Sequence, residues 1–484
     1  MTTNPHHSRR WWILALLGIA QLMVVLDATI VNIALPSAQK ALHFGDPDRQ
    51  WIVTAYALAF GSLLLLGGRL GDYFGRKRVF IVGLLGFAGA SALGGNAESF
   101  EVLVAARALQ GAFGALLAPS ALALLTTTFT DTSERGKAFG VYGAIAGGGG
   151  AIGLLLGGVL TEYASWRWCL YVNLLFAIPA AAAAVAILHH EAFPAKPRLD
   201  IPGTLTGTTG LFALVYGFSN AETHSWSNPV TVGFLAAAVV LLALFAPIER
   251  RAAHPLLPLR VVLERGRGGS YTAVSIVGAG MFGVFLFLTY YLQQTLGFSP
   301  ILTGVAFLPM VGVVMATAAL TTARLLPRIG PRPLVTLGMV LASAAMVLLT
   351  QVGVDTGYAT HVLPALLLMG LGLGLAMAPA MSTATLGVGA ADAGVASAMV
   401  NTSQQVGGSI GTALLSTVAS SATASFVAAR QASPSALAEA AVHGYTTAFW
   451  WSAAIFAAGA VLCGLLLRSG APESDPAAEP VLAH

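Results

Sequence analysis

The sequence predicts an all-α polytopic membrane protein, on the strength of three observations. Of the 484 residues, 56% are hydrophobic and only 9% are charged, whereas soluble proteins carry about 25% charged residues on average. Continuous apolar stretches of about 20 residues recur along the chain, and each is long enough to cross a hydrocarbon core of about 30 Å. These stretches are rich in Leu, Ala, Gly and Val and do not alternate apolar with polar residues, which excludes a membrane β-barrel.

Fourteen apolar spans follow one another, separated by polar breaks that contain Gly, Pro or clustered charges. The first span follows "SRR" and is too long for the hydrophobic region of a signal peptide, so we expect it to remain as the first helix. The predicted spans are 11–35, 51–71, 79–97, 102–126, 138–160, 168–188, 201–219, 230–248, 271–293, 301–323, 334–352, 362–385, 394–418 and 446–467.

The basic residues predict the orientation of these spans. Most Lys and Arg side chains fall in breaks on the same side of the membrane as the N-terminus, including "GRKR" at 75–78 and the arginines between Arg250 and Arg267. Lys and Arg accumulate in cytoplasmic loops. We therefore expect both termini to be cytoplasmic and the number of spans to be even.

The chain also repeats itself weakly, which indicates two related halves. "GRLGDYFGRKR" resembles "ARLLPRIGPRP", with Gly75 matching Gly330, and "GGAIG" resembles "GGSIG", with Gly153 matching Gly411. Such repeats are typical of secondary transporters. The predicted domains are an N-terminal six-helix bundle at 1–190, an inserted helix pair with cytoplasmic linkers at 191–269, a C-terminal six-helix bundle at 270–468 and a disordered cytoplasmic tail at 469–484.

Two ionisable residues lie inside predicted spans, Asp27 in the first and Arg107 in the fourth. Such a charge costs about 2.5–3.5 kcal/mol at the bilayer centre, so intramembrane ionisable residues are usually functional. At 1.5 Å per residue, Asp27 lies about 12 Å and Arg107 about 8 Å below the outer ends of their spans. We therefore expect the two side chains to meet and Asp27 to exchange a proton as its access to water changes. A static pair that only fixes helix packing is the alternative.

Further polar residues and glycines follow the faces of the spans. Asn32 lies about 140° around its helix from Asp27 and is not expected to share its face. The predicted substrate-cavity residues are Gln110, Tyr291, Gln294, Asn401, Gln404 and Gln405. Interhelical hydrogen bonding is the alternative role for the Asn and Gln residues, and an interfacial position is the alternative for Tyr291. The glycines of the fifth span predicted to let helices approach closely are Gly143, Gly147, Gly149, Gly150, Gly153 and Gly157.

Several segments together resemble the fourteen-helix drug:proton antiporters of the major facilitator superfamily. "GRLGDYFGRKR" is similar to the signature loop between helices two and three, "LVAARALQGAFGA" to the helix-four motif and "LDATIVNIALP" to the first-helix motif of the drug-exporter branch. "WRWCLYVN", "PLLPLR", "YLQQTLGFSP" and "NTSQQVGG" also look like that branch. The resemblance implies a major facilitator fold of two six-helix bundles plus two inserted helices, with 14 transmembrane helices and both termini cytoplasmic.

The resemblance also implies a mechanism of alternating access, in which proton entry drives export. It implies that Asp27 is a protonation site, that Arg107 modulates it, and that the signature loop is a conformational latch between the bundles. The latch residues are Gly68, Asp72, Gly75, Arg76 and Lys77, with Arg135 as a candidate partner of Asp72. A charged turn that only sets topology is the alternative.

One segment departs from this family pattern. Gly150 and Leu154 stand where the helix-five antiporter motif usually has proline. Glycine keeps local flexibility but lacks the fixed φ of proline. The departure weakens the prediction of antiport more than the prediction of transport.

The sequence thus predicts a proton-coupled exporter of lipophilic small molecules, such as drugs or antibiotics, in the cell membrane, and not an enzyme. A proton-coupled importer or exporter of a small metabolite is the alternative. A haem-bearing membrane protein would need paired histidines within spans, and the histidines here fall in loops or near helix ends. Cys169 and Cys463 match no metal spacing, so no metal or cofactor is expected beyond the coupling proton. The expected partners are a lipophilic substrate and membrane lipid, without nucleic acid, and the expected state is a monomer.

Overall fold

The computed structural model describes residues 9–470 except 46–47, 130–131, 189–199, 253–254, 256, 258, 386–387, 389–392 and 430–433. Its regular elements there are all helical. Fourteen described helices have 19 residues or more, and each overlaps one predicted span. They are α1 Arg10–Leu42, α2 Gln50–Phe74, α3 Arg76–Gly95, α4 Phe100–Thr128, α5 Thr132–Tyr163, α6 Trp168–Ile187, α7 Ile201–His224, α8 Pro229–Arg251, α9 Arg265–Tyr290, α10 Pro300–Leu320, α11 Pro331–Leu349, α12 Leu363–Thr385, α13 Ala393–Ala428 and α14 Pro434–Leu466.

Eleven of these helices are long and apolar enough to cross a membrane over their described residues. The other three are α2, α5 and α7. The predicted tail at 469–484 lies almost entirely outside the described residues.

Local capping explains where several helices begin. The side chains of Ser99, Asp200, Asn228 and Ser299 accept hydrogen bonds from backbone N–H groups in the first turns of α4, α7, α8 and α10. Such side chains satisfy donors that a helix N-terminus would otherwise leave unpaired. The polar breaks read from the sequence therefore contain the residues that start the next helix.

The helices form two bundles and an inserted pair. Within α1–α6, α1 packs on α4, α5 and α6, while α4 packs on α2 and α3. Within α9–α14, α9 packs on α12, α13 and α14, and α11 packs on α12 and α14. Helices α7 and α8 pack on each other, and α7 also contacts α2 and α13. The inserted pair thus lies beside the junction of the two bundles.

The weak repeat has a structural counterpart. Gly75, between α2 and α3, has φ +97°, and Gly330, just before α11, has φ +77°; both values favour glycine. A Cβ atom at Gly153 of α5 would lie 3.1 Å from a backbone oxygen of α1, and one at Gly411 of α13 would lie 2.8 Å from a backbone oxygen of α9. The pairings α1–α5 and α9–α13 therefore correspond in the two bundles.

Hydrogen bonds join neighbouring helix ends within each bundle on one face of the molecule. Lys77, at the start of α3, donates to the carbonyl oxygens of Val185 and Leu188 at the end of α6, the first at 2.9 Å. Arg265, at the start of α9, donates to the carbonyl oxygen of Leu465, near the end of α14, at 2.5 Å. We call the face with the start of α1 and the end of α14 the inner face, and the opposite one the outer face.

Candidate functional site

Asp27 lies at the centre of the N-terminal bundle, where no part of its side chain is exposed. Its Oδ2 accepts a hydrogen bond from Nη1 of Arg107 at 2.5 Å, which is also an ion pair. Its Oδ1 accepts from Nε2 of Gln110 at 2.9 Å and from Nδ2 of Asn173 at 2.7 Å. The expected meeting of Asp27 and Arg107 is confirmed. Helices α1, α4 and α6 together supply the carboxylate and its three donors.

Arg107 is held from several directions and is only 2% exposed. Its Nη1 also donates to Oε1 of Gln110 at 2.8 Å, and its Nε donates to the carbonyl oxygen of Ile52 on α2 at 3.2 Å. The guanidinium carbon lies 4.5 Å from the centre of the Tyr56 ring, within the range of a cation–π interaction. These contacts leave the guanidinium little freedom to move independently of the bundle.

Three residues of this network were not among the predicted site residues. Asn173 on α6 and Tyr56 on α2 contact the pair directly, and Ser91 on α3 accepts from Nε2 of Gln110 at 2.7 Å. Each is a polar residue within an apolar span, which was the available signal. A sequence does not say which helices are neighbours, so only the structure groups these residues with Asp27.

Asn32 does not join the network. Its side-chain amide donates to the carbonyl oxygen of Ala28 on its own helix at 3.1 Å. This agrees with the angular argument that placed Asn32 and Asp27 on different faces.

A cavity of about 10 Å³ lies on the outer side of the ion pair, about the space that one water molecule needs. Its walls are mostly apolar, with Arg107 at its base. The lining residues are Val31, Ala34, Leu35, Ala38, Ile52, Leu103, Arg107, Trp166, Cys169 and Leu170. The approach to Asp27 from the outer face is therefore narrow in this conformation.

The glycines of α5 let α1 approach closely beside the network. A Cβ atom at Gly153 would lie 2.0 Å from Oγ1 of Thr29, and one at Gly157 would lie 3.0 Å from the carbonyl oxygen of Ile30. Gly149 faces the side chains of Leu22 and Val25 of α1. A Cβ atom added at Gly150 would lie 4.0 Å from the side chain of Thr29 of α1. The surroundings of Gly143 and Gly147 fall outside the described part of the chain.

The two bundles are joined on the outer face near α1 and α9. The hydroxyl of Tyr290 donates to Oε1 of Gln39 at 2.6 Å, and Nε2 of Gln293 donates to the carbonyl oxygen of Ile33 at 3.2 Å. Arg49, 6% exposed, lies 4.1 Å from the centre of the Tyr290 ring. These contacts join α1 and the residue before α2 to the end of α9 and the turn that follows it.

A second outer contact joins α5 to α10. Oε2 of Glu162 accepts from the backbone N–H of Ile301 at 3.2 Å, where the helix dipole favours a negative charge. Gly304 of α10 lies against the carbonyl oxygen of Leu154 of α5, and a Cβ atom added at Gly304 would lie 2.6 Å from that oxygen. One apolar core also runs continuously from the outer half of the N-terminal bundle into the C-terminal bundle. The outer face is therefore closed between the bundles.

The other predicted cavity residues are dispersed. Tyr291 is fully buried, and its hydroxyl donates to the carbonyl oxygen of Gly353 at 2.9 Å, which anchors the loop after α11. Gln294 is exposed just beyond α9. Asn401, Gln404 and Gln405 are half-buried on α13. Of the six predicted cavity residues, Gln110 is the one whose described hydrogen bonds join the Asp27 network.

Gln404 and Gln405 lie on α13 where it contacts two other helices. The carbonyl oxygen of Gln404 packs against Gly278 of α9. A Cβ atom added at Gly278 would lie only 2.4 Å from that oxygen. The Cβ of Gln405 faces Gly61 of α2, and a Cβ atom added at Gly61 would lie 3.1 Å from it. Gln405 is therefore at the junction of the two bundles.

The predicted latch is only partly described. Gly75 forms the turn between α2 and α3, Arg76 begins α3, and Lys77 donates to the end of α6. Gly68 faces the Pro119 side chain of α4. The side chains of Asp72 and Arg135 lie outside the described residues, so their expected contact stays a prediction.

Comparison with known proteins places this geometry in a family. The chain is 52% identical over 469 residues to the puromycin resistance protein pur8 of Streptomyces alboniger, covering 96% of this chain and 93% of that protein. It is 38% identical to the cephamycin export protein CmcT of Amycolatopsis lactamdurans, with 85% of each chain covered.

The solved structures support the same fold. An auto-inhibited POT family peptide transporter matches with a TM-score of 0.69 at 16% identity, covering 94% of this chain and 96% of that one. The family model described as Major Facilitator Superfamily matches residues 17–412. The chain is thus a multi-pass cell-membrane transport protein rather than an enzyme, and it belongs to the Major Facilitator Superfamily.

Proposed function

We propose that this protein exports antibiotic-like lipophilic small molecules in exchange for protons, with Asp27 as the proton carrier. The observation that carries the proposal is the fully buried Asp27 carboxylate held by Arg107, Gln110 and Asn173. The full-length similarity to proteins named for puromycin resistance and cephamycin export supports export and the substrate class. Puromycin is the first substrate to test.

The coupling rests on the hydrogen bonds of Asp27. Arg107 and Gln110 of α4 and Asn173 of α6 all donate to its carboxyl group, so these bonds hold α1 to both helices. When Asp27 binds a proton, its attraction for Arg107 weakens and the donors must rearrange. Since α1, α4 and α6 all contribute to the network, that rearrangement acts on the whole N-terminal bundle.

The proposed architecture has fourteen membrane crossings, with α2, α5 and α7 crossing alongside the eleven helices that are apolar enough by themselves. The inner face is then cytoplasmic, in keeping with the excess of Lys and Arg in inner loops. The proton is the proposed coupling ion, and the signature loop between α2 and α3 is the proposed latch. In this arrangement the closed outer face corresponds to a conformation that loads substrate from the cytoplasm.

The α1–α9 and α5–α10 contacts are then the outer gate, which must separate before substrate leaves. They occur near the outer ends of helices that belong to different bundles. A rocking motion of one bundle against the other would break both contacts together, as alternating access requires.

Inverted membrane vesicles test the proposal. An acidic lumen should drive uptake of labelled puromycin into the lumen, and a proton ionophore should abolish it. Uptake that requires an alkaline lumen would instead indicate movement with protons, as in an importer. Puromycin uptake that ignores the pH gradient and the membrane potential would contradict proton coupling altogether.

A further inference from the structure

Two carboxyl groups meet at the inner face, where α7, α8 and the linker to α9 come together. Asp200 caps α7, and its Oδ1 accepts a hydrogen bond from the backbone N–H of Gly203 at 3.0 Å. Glu249 lies in the last turn of α8 and is 4% exposed. Its Oε2 accepts from the backbone N–H of Leu257 in the linker at 2.9 Å. Each carboxyl group thus has one oxygen with a clear structural role.

The other oxygen of each group has no donor. Oδ2 of Asp200 and Oε1 of Glu249 are both buried and have no hydrogen-bond partner in the described part of the chain. A Cβ atom built at Gly203 would lie 2.4 Å from the first and 2.3 Å from the second. The two unpaired oxygens therefore border the same small space, close to each other.

Among the described residues, no cation donates to either unpaired oxygen. Arg69 of α2 acts on Glu249 electrostatically, but its Nη2 donates to the carbonyl oxygen of Pro255 in the linker at 2.5 Å. The elements around Glu249 carry the charged groups Asp200 on α7, Arg69 on α2, Arg250 and Arg251 on α8 itself, and Arg260 in the short helical turn after the linker.

Two ionised carboxylates with unpaired oxygens are costly when buried together. Neighbouring carboxylates avoid this cost when one of them keeps its proton. An acid O–H on either group could donate to the facing oxygen of the other, which would satisfy both atoms at once. The titration then belongs to the pair and not to either residue alone.

We infer that Asp200 and Glu249 share one proton, and that this proton holds the inner-face ends of α7 and α8 together and, through the Glu249–Leu257 hydrogen bond, keeps the α8–α9 linker in place. Loss of the proton leaves two like charges that repel across the space beside Gly203. Glu249 then moves away and releases Leu257, so the linker loosens. The inner-face end of α7 and α8 is therefore a pH-dependent joint, separate from Asp27 and independent of the proposed export function.

The expected pH dependence has a definite sign. One proton is bound in the closed joint and released on opening. The opening equilibrium therefore rises by up to tenfold per pH unit between the ordinary carboxyl pKa, about 4, and the higher pKa of the closed pair, and it levels off above that pKa. Trypsin cleavage of the purified, detergent-solubilised protein after Arg260, in the segment between α8 and α9, reports this opening. The rate should rise with pH in the parent protein beyond the trend set by the protease itself.

The test variant is Glu249→Gln, whose amide can donate to Asp200 in place of the proton. Its cleavage should be slow and should follow only the pH trend of the protease itself. Glu101→Gln, which removes an exposed acid near the start of α4, is the matched control and should keep the parent pH profile. Asp200→Asn is the second variant, since Asn retains the capping ability of Asp. Identical pH profiles for the parent and both variants would overturn the inference.

Infrared spectroscopy tests the shared proton directly. In an Asp27→Asn background, we expect the C=O stretch of a protonated carboxyl group to persist at a pH at which exposed carboxyl groups are ionised, and we expect Glu249→Gln to remove it. Absence of a band that depends on Glu249 would contradict a shared proton. Retention of proton-driven transport by Asp27→Asn would contradict the proposed function. It would not change the infrared result for Asp200 and Glu249.

Discussion

Replacing Asp27 with Asn separates proton coupling from folding more cleanly than other changes. The amide keeps the size of the carboxyl group and can still accept from Arg107, but it cannot exchange a proton. A proton moving through 100 mV gains about 2.3 kcal/mol, which supports a roughly 50-fold substrate gradient at 1.4 kcal/mol per tenfold. We expect the Asp27→Asn variant to build no substrate gradient and only to let the substrate concentrations on the two sides of the membrane become equal.

The same substitution should lower stability by a measurable amount. Arg107 is 2% exposed and would lose its counter-charge. Removing one member of a buried ion pair costs about 3–5 kcal/mol, and we expect the lower end because Arg107 also donates to Gln110 and to Ile52. Thermal unfolding in detergent measures this loss.

The assay is puromycin uptake into inverted vesicles, with the amount of inserted protein measured in parallel. Asn32→Ala is the matched control, because Asn32 is a buried polar residue of α1 that bonds only within its own helix in the described structure. It should retain gradient-driven uptake. Full gradient-driven uptake by Asp27→Asn at normal protein levels would refute the reasoning.

Three further outcomes are expected. Arg107→Lys should reduce gradient-driven uptake at least about tenfold, because lysine cannot reproduce the forked donors and ring stacking of the guanidinium; wild-type uptake would contradict this. Gly153→Ala should lower thermal stability by about 1–3 kcal/mol through overpacking, since its Cβ would lie 2.0 Å from Oγ1 of Thr29, whereas Gly89→Ala, with no atom within 4 Å, should be neutral. Burial opposes ionisation of Glu264, but backbone N–H donors at the start of α9 outweigh it and hold the pKa of Glu264 below its usual range. Its stabilisation is therefore present above pH about 4.3 and is lost as the pH falls through the lowered pKa, so Glu264→Gln should destabilise the protein at pH 7 and have little effect in strong acid.

Hydropathy, helix rise and charge placement could predict much of the fold. Asp27 and Arg107 fall at similar depths because each helical residue advances by a fixed distance, and that alone brought them within reach. The match between Gly75 and Gly330 indicated two related halves, and in the structure both glycines have a positive φ. These features depend on local geometry, which a sequence carries.

The neighbours of Asp27 could not be predicted in the same way. Asn173, Ser91 and Tyr56 come from three other helices, and their contacts depend on how those helices are arranged around α1. The depth of Tyr291 near the outer end of its span suggested a cavity or an interfacial position. Its hydroxyl instead bonds to Gly353, a partner that belongs to a distant loop. Side-chain partners across helices follow from packing, which apolar periodicity does not specify.

The central claim is that one buried carboxyl group exchanges a proton when substrate binds or leaves. Purified protein in weakly buffered detergent solution, mixed with puromycin, allows that proton to be counted with a pH indicator. We expect about one proton released per binding site in the parent protein and none in Asp27→Asn, although that variant still binds puromycin. Equal proton release from both proteins would contradict the account.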